Sequence, residues 1–174
     1  MRSHGMKTLS WDKYRGHLSA YDIDDLGYNY RITEIQSALG LVQLKKLDRN
    51  NQRRGELVEI YWRELCNIED VSIPFFKYGT GSSYHIFSVL ISSSIPRDKI
   101  INELKDLGIQ SSIHYPPVHL FSLYRRLYGY QEGMFPKTEE VSRREISLPL
   151  YPNMNNDDVC WICKKVREVI RKLK

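Results

Sequence analysis

The segment Gly27–Asp48, GYNYRITEIQSALGLVQLKKLD, constrains this chain more than any other, because it joins a polar, aromatic turn directly to the longest clean helical pattern in the sequence. Ile32, Ile35, Leu39 and Val42, with Ala38 beside them, recur at intervals of three and four. That is the spacing of one helical face, and the face is expected to be buried. Thr33 followed three residues later by Gln36 makes a capping box, in which each side chain satisfies a backbone N–H at the helix start. Just upstream, Asn29 and Arg31 lie two apart, flanked by Tyr28 and Tyr30, in a stretch too polar for a core. A loop held rigid by the helix behind it suits contacts to an anionic ligand. The same residues also suit a plain surface turn.

Beyond this segment, Leu57, Ile60, Tyr61 and Leu65 share a helical face, which predicts a second helix from about Arg49 to Cys66 that nearly continues the first. Asn67–Ser72 breaks the pattern. Lys77–Ser83, KYGTGSS, is a glycine and serine turn with no lysine placed as in a phosphate-binding loop. Tyr84–Ile91 is short, aromatic and β-branched, and reads as a buried strand. Pro96 suits a first helical turn, Ile100, Ile101, Leu104 and Leu107 form a stripe, and Gly108 supplies the stop. Ile109–Ile113 is a second expected strand, ended by Tyr115, Pro116 and Pro117, which force extended backbone. Short helices are expected near Leu120–Tyr128 and Thr138–Arg143, with the glycine-rich GYQEG loop between them. A final helix is expected over Asn156–Leu173, where Val159, Ile162, Cys163, Val166 and Ile170 keep the period. Residues 1–26 carry no periodicity and read as a connecting segment. The sum is an α+β fold, with helices packed on a small β-sheet.

Composition narrows the function classes. A chain of 174 residues can bury a real core, and a single compact domain is the default. Its 41% hydrophobic and 27% charged residues are those of a soluble globular protein. The net charge of +5 is spread out, and the densest basic run, Lys45–Arg54, is interrupted by Asp48, Asn50 and Asn51, so it reads as a solvated face. No nucleic-acid module and no membrane-spanning stretch is visible, and Met1 is followed by polar residues, so a cytoplasmic protein is expected. Three cysteines argue against a disulfide framework. Cys160 and Cys163 lie within the last helical pattern and lack the partners of a tetrahedral zinc site, so packing is the better reading. His114 and His119 are separated by prolines that exclude a shared helical face. His85 reads as a histidine in or beside the sheet. His114 and Tyr115 place a titratable ring and a phenol at the end of an expected strand, on backbone stiffened by two prolines, where ligand contacts are often made. No Ser-His-Asp or Cys-His order and no paired carboxylates stand out.

Gly27–Asp48 resembles the signature of the DegT/DnrJ-type nucleotide-sugar aminotransferases, a branch of the fold-type I pyridoxal phosphate (PLP) enzymes. The resemblance continues in RSHGM (Arg2–Met6), SYHIFSVLI (Ser83–Ile91), GIQSSIHYPPVHL (Gly108–Leu120) and SLPLYP (Ser147–Pro152). It implies the small C-terminal domain of such an enzyme over residues 32–174, with interdomain helices, and a connecting segment plus active-site loop over residues 1–31. It also implies PLP as cofactor and a homodimer with shared active sites. The implied reaction moves an amino group from an amino acid, glutamate in the expectation, to a keto-sugar nucleotide, for surface-polysaccharide or secondary-metabolite sugars. By the same resemblance Asn29 hydrogen-bonds the PLP phosphate, Arg31 meets phosphate or substrate charge, and His114 and Tyr115 bind substrate. The cofactor-binding lysine is expected in a large domain preceding RSHGM, so no lysine here is assigned that role and the chain alone is expected to be inactive. The competing reading is a non-catalytic module of the same fold.

Overall fold

The computed structural model describes residues 4–6, 22–75 and 81–174, which fall into two compact units divided between Leu47 and Asp48. Part of the Lys77–Ser83 turn lies outside the described residues.

In the first unit, Met6 bridges Ile23 and the His4 N–H donates to the Tyr28 carbonyl at 3.0 Å. The two segments run so close that a Cβ on Gly27 would stand 1.9 Å from the Gly5 nitrogen. Only glycine fits there. The capping box forms as expected, with the Thr33 N–H donating to Gln36 Oε1 at 2.9 Å and the Gln36 N–H to Thr33 Oγ1 at 3.3 Å.

Helix α1 then runs unbroken over Glu34–Leu65, so the two expected helices are one. No proline or glycine lies between Leu41 and Arg54, and the polar run there has nothing to break a helix with. The expected burial of its first face is corrected: Ile32, Ile35, Leu39 and Val42 are 48–76% exposed. Periodicity reports that a face is apolar. It does not say that this chain covers it, and the described residues of the first unit include no second helix or strand to do so.

In the second unit the outcome is reversed, and Leu57, Val58, Ile60, Tyr61 and Leu65 of α1 are buried. They join a core built on a three-stranded antiparallel sheet in the order β1 (Val71–Ser72), β2 (Phe87–Ile91), β3 (Glu145–Leu148). Phe87, Val89 and Ile91 face the core from β2, as its alternating burial shows. The register sets Phe87 against Leu148 and Val89 against Ile146 on that face. Tyr61 stacks on Phe87, ring centroids 4.5 Å apart. Helix α2 (Arg97–Asp106) packs on α5 (Asn156–Leu173) and contributes Ile100 and Leu104. Leu107, expected in the same stripe, ends the helix and is exposed, with Gly108 left-handed after it (φ +78°). Helix α5 buries Val159, Ile162, Cys163, Val166 and Ile170, the period expected, and starts on a capping box between Asn155 and Asp158. Between them lie a 3₁₀ turn (Val118–Leu120), α3 (Ser122–Tyr128) and α4 (Pro136–Arg144).

Two strand expectations change. The strand expected over Tyr84–Ile91 starts only at Phe87, and His85 is exposed outside it. Ile109–Ile113 makes no strand but a single bridge, Ser112 to Ser147. Two residues further on, the Tyr-Pro-Pro run stops any ladder, since proline has no N–H to give. The strands on either side of β2 come from segments that the sequence did not mark.

Candidate functional site

The antiparallel register does more than build a core. On the sheet face opposite Phe87 and Val89 it sets Ser88 against Ser147 and Leu90 against Glu145. The Ser112–Ser147 bridge, with N–H···O distances of 3.1 and 2.8 Å, lays the next segment alongside and brings His114 over that polar face. Glu145 is 5% and Ser147 3% exposed. Buried polar atoms need partners, and here they find one another. The His114 N–H donates to Glu145 Oε2 at 2.9 Å, Ser147 Oγ donates to Glu145 Oε1 at 2.6 Å, and His114 Nδ1 lies 2.9 Å from Ser147 Oγ. Ser88 Oγ is 3.0 Å from Ser147 Oγ. His114 also borders a cavity of about 470 Å³, walled by apolar side chains that include Ile73, Tyr84, Ile86 and Leu90.

Tyr115 turns the other way. The residue is 67% exposed, and its ring packs edge-on to His114 with centroids 5.0 Å apart and borders a second cavity of about 690 Å³ with Tyr124, Tyr128, Tyr130 and Phe135. The Tyr115 carbonyl accepts a hydrogen bond from Ser142 Oγ at 2.9 Å. The two residues singled out in the sequence are thus neighbours that serve two cavities.

The wall of the second cavity is set by a buried pair that sequence reasoning missed. Glu139 accepts the N–H of Gly133 at 2.9 and 3.0 Å and that of Phe135 at 3.3 Å, and stands 3.0 Å from His119 Nε2. The Gly133 amide holds the Glu139 carboxyl below the usual carboxylate range, with His119 and the Phe135 amide adding to the effect. His119 packs on Phe135, centroids 4.7 Å apart. The signal available in sequence was a histidine in the Pro-Pro-Val-His turn and a glutamate one turn into a proline-started helix. Nothing in either pattern says that they meet.

In the first unit, Asn29 and Arg31 are exposed in the loop that leads into α1, and Tyr28 and Tyr30 stack at 5.2 Å. An amide and a guanidinium in one exposed loop are a donor set that fits a phosphate ester. Cys160 is exposed and Cys163 buried, each a free thiol, and burial pushes Cys163 up to about 12. Among the described residues no group of three His, Cys, Asp or Glu is placed to hold a metal ion, and no helix is long and apolar enough to cross a membrane.

Comparison with known proteins places the fold. The model of the DegT/DnrJ/EryC1/StrS aminotransferase family matches residues 1–167. An uncharacterized protein of Methanocaldococcus jannaschii, MJ1066, is 38% identical over 174 residues, which are 98% of this chain and 45% of that protein. The UDP-4-amino-4,6-dideoxy-N-acetyl-beta-L-altrosamine transaminase of Campylobacter jejuni (serotype O:23/36) is 30% identical over 177 residues, covering 100% of this chain and 44% of its own length. Among solved structures, Helicobacter pylori PseC, an aminotransferase involved in the biosynthesis of pseudoaminic acid, superposes with a TM-score of 0.83 at 29% identity, covering 98% of this chain and 44% of its own. The chain therefore spans a little under half the length of the relatives it matches, and its fold is that of their C-terminal portion.

Proposed function

Because the chain belongs to the DegT/DnrJ/EryC1/StrS aminotransferase family, whose enzymes are PLP-dependent, we propose that it is the C-terminal portion of an aminotransferase that carries an amino group from glutamate to a keto-sugar nucleotide. The observation that carries this reading is the end-to-end match of the chain to one contiguous part of sugar aminotransferases. Residues 32–174 act as the small domain with its interdomain helices, and residues 1–31 as the connecting segment and active-site loop.

The division of labour follows from the chemistry of each side chain. Asn29 donates through its carboxamide to the cofactor phosphate, in a homodimer whose subunits share their active sites. Arg31 neutralises phosphate or substrate charge. PLP, when bound, supplies the electron sink for proton transfer at the amino-bearing carbon. His114 and Tyr115 bind the sugar nucleotide, one ring over each cavity, and orient it without touching the amino donor.

That last point gives the test. In the whole enzyme, His114→Ala and Tyr115→Phe are expected to raise the KM for the sugar nucleotide, by about 1–3 kcal/mol of binding per lost contact, and to leave the glutamate half-reaction nearly unchanged. The two half-reactions are followed separately by PLP absorbance. Equal loss in both halves would assign the pair to cofactor or fold. No amino transfer by the unaltered enzyme would return the chain to a non-catalytic module.

A further inference from the structure

The hydrogen bonds around His114 determine more than its position. A neutral imidazole carries one N–H, and the partner of each nitrogen decides which one holds it. The chain of donors here can be followed from its buried end. Glu145 as a carboxylate only accepts. It takes the His114 backbone N–H on Oε2 and the Ser147 hydroxyl proton on Oε1. With its single proton committed to Glu145, Ser147 Oγ has only lone pairs to offer, and the His114 Nδ1 facing it at 2.9 Å, nearer than the Ser112 Oγ that lies 3.5 Å from the same nitrogen, is the donor. Ser88 Oγ, 3.0 Å away, donates into the same oxygen. Nε2 is then the unprotonated nitrogen, and no hydrogen bond to it is formed by the described residues.

We propose that Glu145 and Ser147 are positioning residues that hold His114 as its Nδ1–H tautomer, so that Nε2 is presented to the ligand as a hydrogen-bond acceptor. This rests on the reading of His114 as a sugar-nucleotide contact and sharpens it. An acceptor nitrogen selects a hydroxyl or amide N–H of the ligand, and it cannot hydrogen-bond a diphosphate oxygen, which has no proton to give. The group recognised by His114 is therefore on the sugar or the base rather than on the phosphates.

The experiment reads the tautomer directly and without ligand, so it stands or falls apart from the enzymatic proposal. In the ¹⁵N-histidine-labelled chain, long-range ¹H–¹⁵N correlation at neutral pH distinguishes a protonated ring nitrogen from a bare one, and loss of one pattern in His114→Gln assigns it. The expected wild-type pattern is a protonated Nδ1 and a bare Nε2. Glu145→Gln is the decisive variant. Its carbonyl oxygen must stay on the His114 N–H, so its NH₂ faces Ser147 Oγ and donates to it. That frees the serine proton to turn to Nδ1 or to Ser88 Oγ, so the Nε2–H tautomer is expected to gain population. Ser147→Ala removes the link and is expected to give a mixture of tautomers. A protonated Nε2 in the unaltered chain would overturn the proposal, as would an unchanged pattern in both variants. Should Glu145→Gln fail to fold, the wild-type spectrum alone still decides.

Discussion

Tyr61 offers the sharpest quantitative check on the fold. Its ring is fully buried against Phe87, and its hydroxyl donates to the Pro149 carbonyl at 2.7 Å, joining α1 to the chain as it leaves β3. Tyr61→Phe keeps the stacked ring and removes only the donor. The cost is then that of one half-buried carbonyl left without its partner, about 1–3 kcal/mol, whereas Tyr61→Ala adds a cavity and is expected to cost about 3–5 kcal/mol. Urea unfolding measures both, and Tyr61→Phe is expected to lower the midpoint without changing the slope. Burial also pushes the Tyr61 hydroxyl well above the ordinary tyrosine value. An acid whose folded value is raised contributes stability that is complete below its unfolded value, near 10, and is lost as pH climbs beyond it. Above that pH the unfolded chain ionises the phenol while the folded one cannot, and the loss is about 1.4 kcal/mol per pH unit. Phenylalanine has no such proton, so the wild-type advantage over Tyr61→Phe is expected to shrink as pH rises from 9 to 11. A difference within ~0.5 kcal/mol at neutral pH, or a gap independent of pH, would refute the assignment of this hydrogen bond as a buried structural one.

Two further outcomes follow from buried groups. Glu139 is held below its ordinary range in the fold, so it contributes stability above the unfolded carboxyl value that is lost as pH falls through the lowered folded one; acid unfolding of Glu139→Gln is expected to depend less steeply on pH than that of the wild type, measured by urea midpoints between neutral and acid pH. Cys66 and Cys160 are exposed while Cys163 is buried with its thiol pushed up to about 12, so a thiol reagent at mildly alkaline pH is expected to label two cysteines quickly and the third only on unfolding, which mass spectrometry of timed samples reads directly.

How much of this was legible in the sequence depended on where the information was local. Helix α5 was, because Val159, Ile162, Cys163, Val166 and Ile170 state their own period and the helix carries its own cap. So was the Thr33–Gln36 box. Strand β3 was not: Glu-Ile-Ser-Leu alternates polar and apolar like an exposed strand, yet all four residues are buried, because the polar ones hydrogen-bond to a segment some 30 residues away. The same non-local pairing hid Glu145, Ser147 and the His119–Glu139 pair from sequence reasoning. His114 and Tyr115 were singled out through the family motif and the rigidity of the prolines, and the strand expected to deliver them proved to be one bridge. Two-residue β1 lies below the length at which a pattern exists at all.

The uneven burial along α1 bears on how the chain can be divided. Among the described residues, every buried hydrophobic side chain lies between Leu57 and Ile170, so none of the described residues before Asp48 contributes a side chain to that core. The new end left by a cut there would fall just before Asp48, a residue well suited to cap the shortened helix, and Arg53 would still reach the Met154 carbonyl at 2.8 Å and Asn156 Oδ1 at 2.9 Å. What such a cut discards is display: the polar loop with Asn29 and Arg31, and a run of uncovered Ile, Leu and Val side chains that in water invites self-association. One continuous helix thus serves two trades. Its C-terminal half holds a small domain together, and its N-terminal half carries apolar side chains that take no part in that core.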